Sequence, residues 1–320
     1  MYVLELAGTD DAFATAEAAE VLEGVQTVAP GLATAQTIAG LDRLAFTHRA
    51  SERLAGSVAT VEDARAALRA ATIDRARTSA AVRAVDVRGT TGVDTQRAER
   101  VLGAVLVDAG FEIDLEEPDH ELRALFAGER AVLGWLAGAT PRGYDRRRPT
   151  DRPFFQPGSM DPMLARAVAN MAGAAPGRQV LDPMCGTGGI LIEAALVGAD
   201  VLGLDSQAKM AAGTRENLAA IAGVAQPTVF RGDAGRLPLG AGTVDCVAFD
   251  APYGRQSPIA GELETLVADA LGEARRVADR GVIVADRPWH AAAERAGWTV
   301  TAAFERRVHR SLSRHVLLLR

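Results

Sequence analysis

The sequence has few of the features that mark secreted, metal-binding or membrane proteins. Its 320 residues include two cysteines, Cys185 and Cys246, and neither has a cysteine or histidine neighbour at zinc-site spacing. No apolar run reaches the length that spans a bilayer, and the richest stretch, residues 190–204, is interrupted by Glu193 and Asp200. The N-terminus lacks a basic segment followed by a long apolar one. These absences predict a cytoplasmic protein with no metal site and no membrane anchor.

Lysine is almost absent as well. Lys209 is the only lysine, every other basic side chain is arginine, and the net charge is −6. Arginine suits planar, bidentate contacts with phosphates and bases, although its excess is also typical of a GC-rich genome. The acidic surplus favours a salt-adapted cytoplasm, such as that of a halophilic archaeon. An unfolding midpoint that did not rise with KCl concentration would contradict this hypothesis.

The length predicts two or three domains, and the composition changes near residue 140. Residues 141–153 contain three prolines and five arginines, which is typical of an exposed, extended connector. We place this connector at residues 141–158.

The N-terminal half alternates short strands and helices. The strands are predicted at residues 1–6, 81–87, 111–115 and 121–126, and the helices at 12–22, 61–71 and 95–109. Asp10 or Asp11 can cap the first helix. This order is mixed α and β, and no catalytic cluster is visible in it.

The C-terminal half is predicted to be an α/β domain with a mostly parallel, seven-stranded sheet. Its apolar strands are expected at residues 180–182, 201–205, 229–233, 244–250, 282–286, 300–304 and 316–319. The last two have no clear helix between them and are expected to form an antiparallel pair at the sheet edge. Five strands end in aspartate, and ligands bind at the carboxyl ends of strands in such sheets. The aspartates expected in one crevice are Asp182, Asp205, Asp233, Asp250 and Asp286.

The first of these strands runs into a glycine-rich turn. Gly186 and Gly188 fit a dinucleotide-binding turn, but its third glycine position is Leu191, and no Walker lysine follows. Asp182 would repel a diphosphate but suits the cationic methionine end of S-adenosylmethionine. Asp205 can accept the ribose hydroxyls, and Asp233 can accept the adenine amino group. The cofactor-binding residues predicted here are Asp182, Cys185, Gly186, Thr187, Gly188, Asp205, Ser206, Asp233 and Ala234.

The fourth strand ends in the sequence Asp250-Ala251-Pro252-Tyr253. This segment resembles the Asp/Asn-Pro-Pro-Tyr/Phe signature of methyltransferases that act on exocyclic amino groups of bases. Asp250 and the carbonyl of Ala251 can accept two N–H bonds, which positions a poorly nucleophilic nitrogen. Tyr253 would stack on a base that has left its helix. Ala251 stands where the signature has proline, which implies some loss of backbone rigidity.

Four segments together resemble the archaeal tRNA guanosine-10 N2-methyltransferase family. They are residues 152–162, 182–189, 250–255 and 308–314. The resemblance implies a ferredoxin-like segment at residues 1–55, a THUMP RNA-binding domain at 56–140 and a Rossmann-like methyltransferase domain at 159–320. It also implies transfer of one or two methyl groups to N2 of guanosine 10, and a segment at 155–160, including Ser159 and Met160, that closes over the cofactor. Gln156 stands where the family has histidine.

RNA contact must come from local patches, because the overall charge is negative. The arginines predicted to contact tRNA are Arg146, Arg147, Arg148, Arg152, Arg307, Arg310 and Arg314. Other substrates stay open at this point, namely another tRNA guanine, adenine N6 or a protein glutamine. A tRNA-binding protein without catalysis is a further alternative, for which Ala251 is the only support. The sequence leaves open a small activating protein partner, and a monomer is the default expectation.

Overall fold

The chain divides into two compact units, Met1–Pro141 and Arg142–Arg320. The computed structural model describes residues 1–224, 226–253, 260–309 and 312–320. Gly254, Arg255 and Arg310, which carried part of the resemblance and of the predicted RNA contact, lie outside the described residues.

The first unit is built on an eight-stranded sheet with the order β2-β3-β1-β4-β8-β7-β5-β6. Its strands are β1 Tyr2–Leu6, β2 Gln26–Ala29, β3 Leu32–Ala35, β4 Thr47–Val58, β5 Ser79–Asp86, β6 Glu112–Ile113, β7 His120–Ala127 and β8 Arg130–Ala139. Its helices are α1 Asp11–Ala19, α2 Val61–Ala70 and α3 Thr95–Asp108. β5 runs parallel to β6 and β7, and the other pairs are antiparallel.

Local sequence predicts the helices of this unit better than its strands. The three helices are confirmed within a few residues, and the Asp10 carboxylate caps α1 by accepting from the Phe13 N–H at 3.0 Å. The strands β2, β3, β4 and β8 were not predicted. β4 crosses the predicted boundary between residues 55 and 56, so the sheet continues across that boundary.

The second unit has a seven-stranded sheet with the order β11-β10-β9-β12-β13-β15-β14. Its strands are β9 Gln179–Asp182, β10 Asp200–Asp205, β11 Thr228–Arg231, β12 Cys246–Asp250, β13 Gly281–Ala285, β14 Val300–His309 and β15 Leu312–Leu319. Its helices are α4 Pro162–Ala172, α5 Gly189–Leu196, α6 Ala208–Ala222, α7 Ala260–Val277 and α8 His290–Arg295. The Rossmann-like, mostly parallel sheet predicted for this half is confirmed.

The order of the last three strands determines what reaches the site. β14 and β15 form the predicted antiparallel pair, but β15 also pairs with β13 and so lies inside the sheet. Because β15 runs against the parallel strands, its first residues lie beside their carboxyl ends. His315 pairs with Ala285 at the end of β13, which places Arg314 next to the crevice.

The arginine-rich segment before the second sheet is mostly exposed, as the sequence predicts, but it is folded rather than extended. Residues 144–147 and 149–151 form 3-10 turns, and Arg152 is 5% exposed. A fully buried carboxylate, Glu193 of α5, attracts this segment. Arg147 Nε lies 2.5 Å from its Oε1, and Arg166 Nη2 of α4 lies 2.9 Å from its Oε2. The prediction of an extended segment failed because burial of Glu193 requires cations from other parts of the chain.

Replacing Glu193 with glutamine is expected to destabilise this unit by about 3–5 kcal/mol, because it leaves buried guanidinium groups without their counter-charge. Chemical denaturation of wild type and Glu193→Gln measures the change. The matched control in the same unit is Asp279→Asn, which removes an exposed ion pair with Arg275. It is expected to cost about 0–1 kcal/mol. Equal effects of the two substitutions would contradict this account.

Among the described residues, no helix is long and apolar enough to cross a membrane. The same residues contain no group of three or more histidine, cysteine or acidic side chains placed to hold a metal ion.

Candidate active site

The carboxyl ends of β9, β10 and β12 surround one pocket. Four of the five predicted aspartates line it: Asp182, Asp205, Asp233 and Asp250. Asp233 follows β11 by two residues, because that strand ends at Arg231 rather than at the predicted residue 233. Asp286 follows β13 and is not among the residues that line the pocket within the described part of the chain. The lining therefore carries a concentration of negative charge that fits a cationic ligand.

The glycine-rich turn forms one wall of this pocket. Gly186 and Gly188 have φ angles of +52° and +78°, in the region that favours glycine. A Cβ at Gly188 would lie 2.8 Å from Thr214 Cγ2, so this glycine permits close packing of the turn against α6. Gly188 was predicted to contact the cofactor, but it does not line the pocket. Gly189, the first residue of α5, lines it instead.

Backbone amides orient the two buried carboxylates of the pocket. Asp205 Oδ2 accepts from the Gly186 N–H at 3.0 Å, and its Oδ1 accepts from the Gln207 N–H at 2.9 Å. Each carboxylate oxygen has a second lone pair, so Asp205 can still accept two ribose hydroxyls. Asp182 Oδ1 accepts from the Met184 N–H at 3.0 Å. Burial raises the pKa of Asp182 well above its usual value, and the charges of Asp205 and Asp250 add to the rise. A cation bound here would relieve that repulsion.

The other predicted cofactor residues also line the pocket: Ser159, Met160, Cys185, Thr187, Ser206 and Ala234. Burial raises the pKa of the Cys185 thiol, and the negative charge of Asp182 raises it further, so the thiol stays protonated. Seven lining residues were not predicted from the sequence: Pro183, Met184, Gly189, Ile190, Gln207, Met210 and Leu266. Met210 lies in the first turn of α6, the helix that follows Asp205, and this position could have indicated its contact with the pocket.

A second wall comes from residues 156–160, and a buried asparagine holds the start of that segment. Asn217 of α6 accepts from the Phe154 N–H at 2.9 Å and donates to the carbonyls of Phe154 and Thr187. Further along, Ser159 Oγ shares a 3.0 Å hydrogen bond with Thr187 Oγ1. The segment and the glycine-rich turn are therefore positioned together.

Gly213 of α6 is expected to be essential for this docking, because a Cβ there would lie 2.0 Å from the Phe154 ring. Gly213→Ala must displace Phe154 and the segment after it, at a cost of about 1–3 kcal/mol. We expect the affinity for S-adenosylhomocysteine, measured by calorimetry, to fall by roughly tenfold. Gly272→Ala in α7 is the matched control, because its Cβ would meet nothing within 4 Å. The account would be wrong if Gly213→Ala bound as tightly as Gly272→Ala.

The segment that resembles the amino-methyltransferase signature follows β12, and Asp250, Ala251, Pro252 and Tyr253 all line the pocket. The Ala251 N–H donates to the Val284 carbonyl at 2.8 Å, which extends the pairing of β12 with β13. A proline at this position could not make that bond. The rigidity expected to be lost with the proline is therefore offset by a hydrogen bond that fixes the backbone.

An arginine from β15 completes this end of the pocket. The Tyr253 hydroxyl donates to Asp250 Oδ1 at 2.9 Å and accepts from Arg314 Nε at 2.7 Å. Arg314 Nη2 lies 3.6 Å from Asp250 Oδ2 and donates to the Gly158 carbonyl at 2.8 Å. Burial raises the pKa of Asp250 to about 6, and the charge of Arg314 opposes that rise.

The predicted cluster of RNA-contacting arginines needs correction at three positions. Arg314 is 2% exposed and bonded to the site, Arg152 is 5% exposed, and Arg147 is paired with the buried Glu193. These three side chains are not free surface cations, so the structure does not favour their predicted contact with RNA phosphates. Arg146, Arg148 and Arg307 are exposed.

Comparisons with known proteins agree with this geometry. The family model described as RMKL-like, methyltransferase domain (UPF0020) matches residues 149–316. A Methanothermobacter thermautotrophicus protein named tRNA (guanine(10)-N2)-dimethyltransferase is 37% identical over 286 residues, which are 87% of this chain and 83% of that protein. A Pyrococcus abyssi protein of the same name is 31% identical over 232 residues, or 71% of this chain and 69% of that protein.

The fold also has a counterpart among solved structures. The crystal structure of TrmN from Thermus thermophilus superimposes with a TM-score of 0.52 and 25% sequence identity, over 99% of this chain and 98% of that one. The chain therefore belongs to the RMKL-like methyltransferase family (UPF0020), as an S-adenosylmethionine-dependent enzyme related to the archaeal tRNA (guanine(10)-N2)-dimethyltransferases.

Proposed function

We propose that this enzyme transfers one or two methyl groups to the exocyclic N2 of guanosine 10 in tRNA. The observation that carries the proposal is that Asp250 and Ala251 line the same pocket as Asp205 and Asp233. The residues proposed to accept the N–H bonds of the amino group and the carboxylates proposed to bind the cofactor thus share one crevice. The names and identities of the two archaeal relatives support guanosine 10 as the target.

The chemistry required of the protein is mainly orientation. The lone pair of a guanine amino group is delocalised into the ring, so the nitrogen is a weak nucleophile. Asp250 and the Ala251 carbonyl accept its two N–H bonds, which holds the nitrogen in line and favours sp³ character. S-adenosylmethionine supplies an activated methyl group when bound. As the new N–C bond forms, Asp250 can take the proton that the nitrogen must release.

Tyr253 is proposed to stack on the guanine after the base has left the RNA helix. Its hydroxyl is held by Asp250 and Arg314, so the orientation of the ring is fixed relative to the acceptor carboxylate. Stacking and hydrogen bonding would then act on the same base from two directions.

The first unit is proposed to be the tRNA-binding part of the enzyme, with a ferredoxin-like segment and a THUMP domain whose shared strand is β4 rather than a boundary at residues 55 and 56. We propose that the exposed Arg146, Arg148 and Arg307 contact phosphates. Maturation of tRNA would place the enzyme in the cytoplasm, and its acidic, lysine-poor composition suits the high salt of a halophilic archaeon. A monomer without metal is the simplest state of the active protein.

The test uses purified protein, tritiated S-adenosylmethionine and unmodified tRNA transcripts, assayed in both low and high KCl. We expect label in N2-methylguanosine and N2,N2-dimethylguanosine, and its loss when guanosine 10 is replaced by adenosine. Label in N6-methyladenosine, or label that survives the replacement, would overturn the proposed target. Binding of tRNA with neither cofactor binding nor transfer would instead indicate a non-catalytic RNA-binding protein.

A further inference from the structure

The buried arginine at the start of β15 contacts three residues that belong to two functional parts of the site. Arg314 is 2% exposed, and its guanidinium reaches the Tyr253 hydroxyl, the Asp250 carboxylate and the Gly158 carbonyl. Gly158 belongs to the segment that lines the cofactor pocket, while Asp250 and Tyr253 belong to the proposed amino acceptor. A buried charge is costly unless it is paired and hydrogen-bonded, and among the described residues Arg314 makes its ion pair and these hydrogen bonds with the active site.

We propose that Arg314 is a positioning residue of the methyltransferase, which keeps Asp250 ionised and aims Asp250 and Tyr253 at the amino group to be methylated. This role rests on the proposed function, in which Asp250 accepts the N–H bonds of guanine N2. Arg314 itself does not touch the base. A planar guanidinium suits the task because its Nε and Nη2 donors bond two partners in a fixed relative direction.

The charges around Asp250 explain why a cation is needed there. Burial disfavours its ionised form, and so does the negative charge of Asp286 after β13. Asp182 at the end of β9 also interacts unfavourably with Asp250. The groups that oppose these effects are Arg314 from β15 and the Tyr253 hydroxyl, which donates to Asp250 Oδ1. A protonated Asp250 could not take up the proton that the nitrogen releases, and it would accept the amino N–H bond more weakly. Loss of Arg314 would therefore lower the rate most at the pH values at which Asp250 becomes protonated.

The test measures the charge state of Asp250 without requiring turnover. Wild type, Asp250→Asn, Arg314→Met and the double variant are unfolded thermally between pH 4.5 and 9. An aspartate whose folded pKa lies above its unfolded value loses stability, relative to asparagine, as pH rises between the two values. In the wild-type background this loss should level off near pH 6. In the Arg314→Met background it should continue at least about one pH unit higher, because the neighbouring cation is gone.

Two further variants separate charge from geometry and from general damage. Arg314→Lys keeps the positive charge. The loss of stability in this background should therefore level off near the same pH as in wild type, even though one hydrogen bond is missing. Arg178→Met removes an arginine that pairs with Asp245, at the opposite end of β12. It should leave unchanged the pH at which the loss of stability levels off. If the loss of stability levelled off at the same pH in Arg314→Met as in wild type, the proposal would be overturned, whatever the substrate of the enzyme is.

Turnover gives a second readout if wild type methylates tRNA as proposed. The value of kcat/KM should fall below about pH 6 in wild type, as Asp250 becomes protonated, and this fall should move to higher pH in Arg314→Met. Near pH 7 a rise of about one unit in the pKa of Asp250 should cost about twofold in kcat/KM and a rise of about two units about tenfold, with recovery toward pH 9. An equal loss at every pH would indicate a purely structural role and contradict the proposal. Failure of wild type to methylate tRNA would refute the proposed function, while the unfolding experiment would still decide the role of Arg314.

Discussion

Replacing Asp250 with alanine is expected to lower kcat for methyl transfer by about 100- to 1,000-fold, comparable to the loss of one preorganised hydrogen-bonding group in other active sites. The variant removes the side-chain acceptor of the amino group and the partner of the Tyr253 hydroxyl, which lies 2.9 Å from Asp250 Oδ1. The Ala251 carbonyl remains, so some orientation of the nitrogen survives. Single-turnover rates with saturating tRNA and cofactor measure the effect on the chemical step.

Cofactor binding distinguishes this effect from general disruption of the pocket. Asp250→Ala should bind S-adenosylhomocysteine within a few fold of wild type, because Asp205 and Asp233 remain. Asp279→Ala, at a side chain that is 94% exposed, should keep the full rate. A single-turnover rate of Asp250→Ala within threefold of wild type would show that Asp250 is not the amino acceptor.

Replacing Asp205 with alanine is expected to lower the affinity for S-adenosylhomocysteine by about 100-fold or more, which corresponds to roughly 3 kcal/mol. Two hydrogen bonds to a carboxylate are each worth about 1.5–3 kcal/mol, so their joint loss accounts for this magnitude. The change also removes the acceptors that orient the Gly186 and Gln207 N–H groups. Isothermal titration calorimetry measures the affinity directly.

A ligand variant isolates the ribose contact from these backbone effects. An analogue of S-adenosylhomocysteine without its ribose hydroxyls should bind wild type weakly, and Asp205→Ala should bind it about as poorly as it binds the complete ligand. If wild type discriminated strongly between the two ligands and Asp205→Ala discriminated equally strongly, the assignment of Asp205 to the ribose would be wrong.

The parallel sheet and its pocket could be predicted because they depend on local patterns. Strands buried on both faces must be continuously apolar, as β12 and β13 are. β12 ends at an aspartate, and β13 ends one residue before an aspartate. The aspartates were predicted to meet in one crevice from the rule that ligands bind at carboxyl ends, and four of them do.

The unpredicted parts depend on neighbours distant in sequence. β4 contains few large apolar residues and buries Thr47 and Ser51, and its place is set by pairing with β1 and β8. Arg147 and Arg152 looked like surface charges because nothing nearby in sequence shows the buried Glu193. The contacts of Arg314 with Tyr253 and Asp250 could not be predicted for a similar reason. The rule that sites lie at strand ends applies to parallel strands, and an antiparallel strand such as β15 brings its start to the site.

The central claim is that Asp250 and Ala251 hold the N2 amino group of guanosine 10 for methylation. A tRNA with inosine at position 10 tests it most directly, because inosine is guanosine without the 2-amino group. The account predicts that this tRNA binds within a few fold of the guanosine-10 tRNA and receives no label from tritiated S-adenosylmethionine. Labelling of the inosine-10 tRNA at the rate of the guanosine-10 tRNA would contradict the account, because the methyl group would then be going to another atom.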